Sequence, residues 1–269
     1  INKKGVMFFM QTVMINGVEY RVNEVCECCG EPKSVITDEG SVRDVDCLCD
    51  RVDKAKKRQV FYDKLGGLTI RKTSTLENFK PKEEIDFEIQ SMVKEYIEKF
   101  PKILTMENDE EGKGIMLVGN SGTGKTFACS CIVNTMNERG YTYLAMNLNR
   151  YLEILRPNSG EDYTQSQILK AVKDVDLLFI DDLGSEYINR QDNKKWAISL
   201  INELFDARIN ANKPILITSN LQTGDEVREH LKFDGTDKTS SRLLGMMRGV
   251  LRHTGKDKRL ANKKFAKGF

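Results

Sequence analysis

Between residues 115 and 126 an apolar run, Ile115-Met116-Leu117-Val118, passes straight into Gly119-Asn120-Ser121-Gly122-Thr123-Gly124-Lys125-Thr126. This is the GxxxxGK[ST] spacing of a phosphate-binding loop. The glycines let successive N–H groups face an anion, Lys125 reaches the β and γ phosphates, and Thr126 offers its hydroxyl to Mg²⁺. A helix starting at this point adds the positive end of its dipole. Downstream, Asp176-Leu177-Leu178-Phe179-Ile180-Asp181-Asp182 is an apolar strand ending in two carboxylates, the Walker B pattern. Asp181 is expected to hold Mg²⁺ and Asp182 to orient or deprotonate an attacking water. Paired acids at a strand end otherwise serve turns or helix caps, and it is their place after a phosphate loop that favours the metal reading. Ile215-Leu216-Ile217-Thr218-Ser219-Asn220 is a second buried strand with a polar tip, and Asn220 is placed to hold the lytic water against the γ phosphate. Later still, Arg242 opens a helix and is the candidate to reach a neighbouring subunit's γ phosphate, the alternative being an ordinary exposed arginine. Arg248, Arg252, Lys258 and Arg259 form a basic cluster. Arg259 is the expected phosphate sensor in cis, and the others are candidates to line a path for DNA, where phosphate contacts would make binding fall steeply with salt.

Five of the seven cysteines lie between residues 26 and 49, in Cys26-Glu27-Cys28-Cys29-Gly30 and Cys47-Leu48-Cys49. A CxxCG turn aims amides at its sulfurs, so Cys26, Cys29, Cys47 and Cys49 can close a tetrahedral zinc site, with Cys28 as the spare. Four protein ligands leave no open position, which makes such a site structural. The competing reading is a set of reduced, unliganded thiols. A segment this short buries too little to fold unaided, and a metal would supply what is missing. Cys129 and Cys131 follow the phosphate loop and read as small core residues.

Elements able to position these groups alternate along the chain. Strands are expected at 115–118, 141–146, 176–181, 214–218 and 249–253. Helices are expected at 125–138, 148–155, 163–173 and 191–211, with short ones up to about 247. The pattern is that of an α/β P-loop NTPase, a parallel sheet covered by helices on both faces with its site at the carboxyl ends of the strands. Ahead of it, 83–99 is amphipathic through Ile85, Ile89, Met92, Val93 and Ile97. Residues 15–50 read as short strands and turns. From Arg51 to Lys72 a basic helix, with Val52, Ala55, Val60, Phe61 and Leu65 on one face, ends at a Gly66-Gly67 hinge. The 269 residues therefore divide into a leader (1–13), a zinc-binding module (14–50), a basic linker helix (51–75) and an ATPase domain (76–269). Residue 1 is Ile, and Met14 is a plausible natural start. Net charge is only +2, but the segments 1–50, 51–72, 73–231 and 232–269 carry −4, +6, −8 and +8. Two basic segments thus bracket an acidic centre. No apolar run reaches the length of a membrane span and no signal-peptide pattern is present, so a cytoplasmic protein without a membrane partner is expected.

Residues 75–259 resemble the helicase-loader branch of the AAA+ ATPases, the DnaC/DnaI type, and its IstB-like transposition helpers. The resemblance rests on Leu76-Glu77-Asn78-Phe79, Gly119 to Thr126, the Asp-Asp-Leu-Gly-Ser-Glu run ending at Glu186, and Pro214 to Asn220. It implies ATP as the nucleotide, assembly into a ring or spiral with sites between subunits, and engagement of single-stranded DNA. It also implies that the amino-terminal module grips a replicative hexameric helicase. The competing functions are a transposase helper, a nucleotide-gated adaptor with little turnover, and a P-loop kinase of a small substrate. The intact Lys125, Thr126, Asp181, Asp182 and Asn220 argue against the adaptor, and the cysteine module against the kinase.

Overall fold

The computed structural model describes residues 12–15, 18–106, 112–156, 159–160, 162–186 and 191–259, the last segment by its backbone alone over 191–193. Most of the leader, and the tail beyond Arg259 with Phe265 and Phe269, lie outside the described residues.

The chain opens with four antiparallel strands, β1 (Thr12–Ile15), β2 (Val18–Val25), β3 (Pro32–Ile36) and β4 (Val42–Asp44), paired in chain order. Thr12 and Val13, assigned to the leader, pair with Arg21 and Tyr20. Little is buried here: among the described residues between 12 and 47, only Cys26, Ser34, Val35 and Cys47 are buried.

α1 (Leu48–Gly66) begins directly after Cys47 and is not a free linker. Ala55, Gln59, Tyr62, Leu65 and Gly66 face inward at helical spacing, against the edge strand β6 (Tyr143–Asn147). Gln59 completes the contact by donating to the Tyr143 carbonyl (3.0 Å) and accepting from its N–H (3.2 Å). Val60 and Phe61, expected on the apolar face, are exposed instead, because a 3.6-residue period through Ala55 and Gln59 selects Tyr62. The Gly66-Gly67 pair is likewise not a hinge. A Cβ on Gly66 would stand 2.1 Å from the Ala145 carbonyl oxygen, and Gly67 closes the helix in the left-handed conformation.

The second sheet is parallel, with strand order β6-β7-β8-β5-β9. Its other members are β5 (Gly114–Gly119), β7 (Leu177–Leu183), β8 (Ile215–Ser219) and β9 (Met247–His253). Alternate strand residues feed two cores. Ile115, Leu117, Phe179 and Leu216 pack under α2 (Glu84–Thr105) and α3 (Lys125–Glu138). Met116, Val118, Ile180 and Ile217 pack on the other face, under α1, α4 (Leu148–Ile154), α5 (Gln165–Asp174), α6 (Gln191–Asn210), α7 (Gly224–His230) and α8 (Lys238–Gly245). Both faces are thus covered, as the uninterrupted apolar strands require. No helix among the described residues is long and apolar enough to cross a membrane.

Two features depart from the pattern in the sequence. α2 continues through Pro101 to Thr105, beyond the 83–99 expected of it. Pro101 cannot donate to the Ile97 carbonyl, and Arg139 Nη1 takes that acceptor at 2.8 Å. Arg208 on α6 is fully buried and is held by main-chain carbonyls. Its guanidinium donates to the carbonyls of Val172, Val175, Asp176 and Pro214, tying the end of α5 to the entries of β7 and β8.

Candidate nucleotide site and metal centre

The loop between β5 and α3 is shaped by contacts that leave no room for side chains. A Cβ on Gly119 would lie 2.3 Å from the His253 carbonyl oxygen, and one on Gly122 would lie 2.0 Å from Asp257 Oδ1. Both residues also have positive φ, 116° and 76°, which a Cβ would disfavour. The loop is laced to its neighbours. Gly119 N–H donates to the Leu221 carbonyl (2.8 Å), Leu221 N–H to Ser219 Oγ (3.1 Å), and Ser219 Oγ to the Leu183 carbonyl (2.6 Å). These bonds link the tips of β5, β8 and β7 to one another.

A cleft of about 510 Å³ opens along this loop. Of the residues expected to bind or act on nucleotide, Ser121, Gly122, Gly124, Lys125, Thr126, Asp181, Asp182, Asn220 and Arg259 line it. Gly119 and Asn120 stand behind, with Asn120 N–H donating to the His253 carbonyl (3.1 Å). Thr123 is buried and ties the loop to itself through the Asn120 carbonyl (3.0 Å).

The chemistry converges on one amide. Lys125 Nζ donates to the carbonyls of Gly119 (2.8 Å) and Asn120 (2.6 Å) and to Asn220 Oδ1 (3.1 Å). Asn220 Nδ2 donates in turn to Asp182 Oδ1 (2.5 Å). Asn220 thus spaces the cation from the acid, and its two partners fix which way the amide points. Asp181 Oδ1 accepts from Thr126 Oγ1 (2.8 Å) and Thr218 Oγ1 (2.6 Å). The Thr126–Asp181 separation suits neighbouring corners of a magnesium octahedron, which are about 2.9 Å apart. Burial raises the Asp181 pKa against these two hydrogen bonds and lowers that of Lys125, so each charge is partly desolvated and would gain from its opposite.

The sequence did not disclose how the two acids are held apart. β7 runs on past them to Leu183, and its pairing with β8 is irregular between Ile180 and Leu183. Asp182 lies in that irregularity with φ 63°, a costly conformation for a residue with a Cβ. Its N–H is fixed by Thr218 Oγ1 (2.9 Å). A bulge re-aims side chains, and here it turns Asp182 toward Asn220 while Asp181 faces Thr126. Thr218 serves both acids; a threonine in an otherwise aliphatic strand was the available signal.

The segment after β9 braces the loop from behind. Asp86, in the first turn of α2, has its carboxylate against His253 Nε2 (2.8 Å) and Lys258 Nζ and accepts from the N–H groups of Lys82 and Glu83. Lys258 N–H reaches the Gly122 carbonyl (2.9 Å). Burial alone would raise the Asp86 pKa, but Lys258, the two N–H groups and His253 outweigh it and bring it to about 2. That value lies below the unfolded one, so the stabilisation is complete above about pH 4 and is lost as pH falls toward about 2, a change of about 2 kcal/mol. Burial also lowers the His253 pKa, so below about pH 6.5 the unfolded chain takes up a proton that the folded one resists, and stability declines there too. Denaturant titrations across this range should show both declines. Asp86→Asn should abolish the lower one; an unchanged acid limb in that variant would contradict the bracing.

Arg259 reaches the site as expected, donating to Ser121 Oγ (2.8 Å) while paired with Asp257. Arg242 does not line the cleft. It is pinned to α6 by Asp206 (2.7 Å) and Asn210 (2.6 Å). The other residues of the basic cluster each have a partner within the chain. Arg248 approaches Glu95 (3.8 Å), Arg252 bonds Gln222, and Lys258 is drawn behind the loop.

Between the turn after β2 and the start of α1, the sulfurs of Cys26, Cys29, Cys47 and Cys49 all lie within 4.8 Å of one another. A Zn–S length of about 2.3 Å gives a tetrahedron with edges of about 3.8 Å, so this donor set fits zinc. The turn between the first pair is closed by Cys26 N–H to the Glu31 carbonyl (2.7 Å) and Gly30 N–H to the Cys26 carbonyl (2.8 Å). Backbone N–H groups of Glu31 and Cys49 bring the Cys29 thiol down to about 6, whereas its neighbours Cys28 and Cys29 drive Cys49 up. Sulfurs this close cannot all ionise without a cation among them. Cys28 is exposed. Cys129 and Cys131 sit in the core of α3, where burial pushes Cys131 up to about 12 and leaves it inert.

Comparison with known proteins agrees with this geometry. The family of IstB-like ATP binding proteins matches residues 49–237. The replicative helicase loader DnaI of Bacillus subtilis (strain 168) is 29% identical over 124 residues, 46% of this chain and 38% of its own length. The replicative helicase loader DnaC of Buchnera aphidicola subsp. Baizongia pistaciae (strain Bp) is 24% identical over 173 residues, 64% of this chain and 65% of its own. The matches thus span less than two thirds of either relative. A crystal structure of DnaI superposes with a TM-score of 0.55 at 19% identity, covering 73% of this chain and 93% of that one, which shows a shared fold.

Proposed function

This chain belongs to the IstB-like ATP-binding proteins, and from that premise we propose that it is an ATP-hydrolysing loader that holds a DnaB-type hexameric helicase through its cysteine module and deposits it on single-stranded DNA. The observation that carries the enzymatic half is the Lys125–Asn220–Asp182 chain, with a cation, an amide and an acid set in line along one cleft. The named relatives and the four-sulfur cluster ahead of the ATP-binding fold support the loading half.

In this reading Lys125 and the loop N–H groups hold the β and γ phosphates, and Thr126 and Asp181 would hold Mg²⁺, which would supply neutralisation of charge on the transferred phosphoryl group. Asp182 accepts the proton of the attacking water, and Asn220 keeps that water in line. Arg259 leaves Asp257 for the γ phosphate in cis. Assembly into a ring or spiral would let Arg242 exchange Asp206 for a neighbour's phosphate, giving hydrolysis shared between subunits.

The family match equally suits a transposase helper, and capture separates the two. The full chain with ATP should retain a DnaB-type helicase and bind single-stranded DNA with an affinity that falls steeply with salt and varies little with sequence. Failure to retain any replicative helicase, with retention of a transposase, would replace the loader by the helper.

A further inference from the structure

Glu186 closes the Asp-Asp-Leu-Gly-Ser-Glu run, yet it neither lines the cleft nor meets solvent. Its side chain is 0% exposed, with Oε1 accepting from Gly184 N–H (2.9 Å) and Oε2 lying 2.7 Å from His230 Nε2. Burying a carboxylate costs several kcal/mol in general, and an apolar residue would pack as well. What the carboxylate grips explains its presence. The turn after β7 holds Asp182 in its left-handed conformation through the Asp182 carbonyl, which accepts from Ser185 N–H (3.2 Å) and Ser185 Oγ (2.7 Å). Gly184, at φ 93°, is the next flexible point, and Leu221 packs so closely that a Cβ there would approach it to 3.0 Å. Glu186 therefore fixes the N–H of this flexible point in the turn.

The second partner lies on a different element. His230 ends α7, which follows directly on the β8 tip carrying Ser219 and Asn220. The Glu186–His230 contact thus ties the turn bearing Asp182 to the helix following Asn220, bracketing both residues from behind. We propose that Glu186 and His230 are a positioning pair for hydrolysis, holding Asp182 at Asn220, with His230, whose side chain is 20% exposed, as the point where movement of α7 reaches the acid. This rests on the ATPase reading above.

Steady-state turnover of single and double variants tests it. Glu186→Ala is expected to lower kcat by about 10- to 100-fold with KM for ATP within about twofold, because the loop and Lys125 are untouched. Glu186→Gln, which keeps an oxygen for Gly184 N–H and an amide for His230, should recover most of that loss. Combined with Asp182→Asn, Glu186→Ala should cost nothing further, since both act through the same carboxylate. A role in stability alone would instead lower the melting temperature and leave kcat per folded molecule unchanged, and a catalytic effect independent of Asp182 would multiply with Asp182→Asn. Where Glu186→Ala melts below the assay temperature, His230→Ala, at a partly exposed position, is judged by the same criteria. A wild-type chain without turnover overturns the ATPase reading and this pair together. Wild-type turnover that Glu186→Ala leaves within about twofold, or that falls multiplicatively in the double variant, overturns the pair alone.

Discussion

Exchanging Asp182 for asparagine is expected to reduce ATP turnover by about 100- to 1,000-fold while leaving ATP affinity within about threefold. Asparagine is the right replacement because residue 182 sits at φ 63°, a conformation that asparagine adopts readily and alanine does not. Its amide oxygen can still accept from Asn220 Nδ2, so the spacing to Lys125 survives and only the charge and basicity are removed. Lys125→Ala should behave in the opposite way, losing nucleotide binding itself, because the ammonium is desolvated within the loop and pointed along it. Single-turnover kinetics alongside binding of a fluorescent ATP analogue separates the two effects. Equal turnover in wild type and Asp182→Asn, measured with DNA and helicase present, would show that nucleotide gates an adaptor and is not hydrolysed to do work.

The second large effect concerns zinc. Purified without chelator, the chain should carry about one zinc per molecule, and joint replacement of Cys29 and Cys47 by serine should abolish it. Strands β1 to β4 should then become protease-sensitive, because among the described residues between 12 and 47 only Val35 and Ser34 are buried besides two of the cysteines themselves. Four strands with so small a core cannot offset their ordering entropy without the metal. Binding of the ATP analogue should persist, since the phosphate loop is built on β5, β8 and β9. Helicase capture should be lost, because the module that is proposed to hold it is gone. A metal-free double-serine variant that keeps its strands protected would exclude a structural role for the cluster.

Both predictions begin in short stretches whose chemistry could be read directly. The phosphate loop and CxxCG each place their groups through contiguous backbone, and spacing alone suffices to recognise them. The strands of the parallel sheet followed from apolar runs, and its cover of helices on both faces from the alternation of strands with helices. The face of α1 was misread because Val60, Phe61 and Tyr62 are adjacent and comparably apolar; only the register of Gln59 against Tyr143 selects among them. α2 outruns its expected end at Lys99 because the cost of Pro101 is offset by Arg139, 42 residues away from the carbonyl it serves.

What the sequence by itself determined, then, is an ATP-binding P-loop chain with a metal-competent cysteine module, because those groups are local in the chain. Only the tertiary structure decided which of its distant polar residues form one site. Inserting β8 between β7 and β5 sets Asn220 between Lys125 and Asp182. The irregular end of β7 points neighbouring acids in different directions. The return of β9 beside β5 brings Lys258 to Asp86 across 172 residues. Strand order and bulges arise from packing between separated segments, and local residue preferences carry no trace of either.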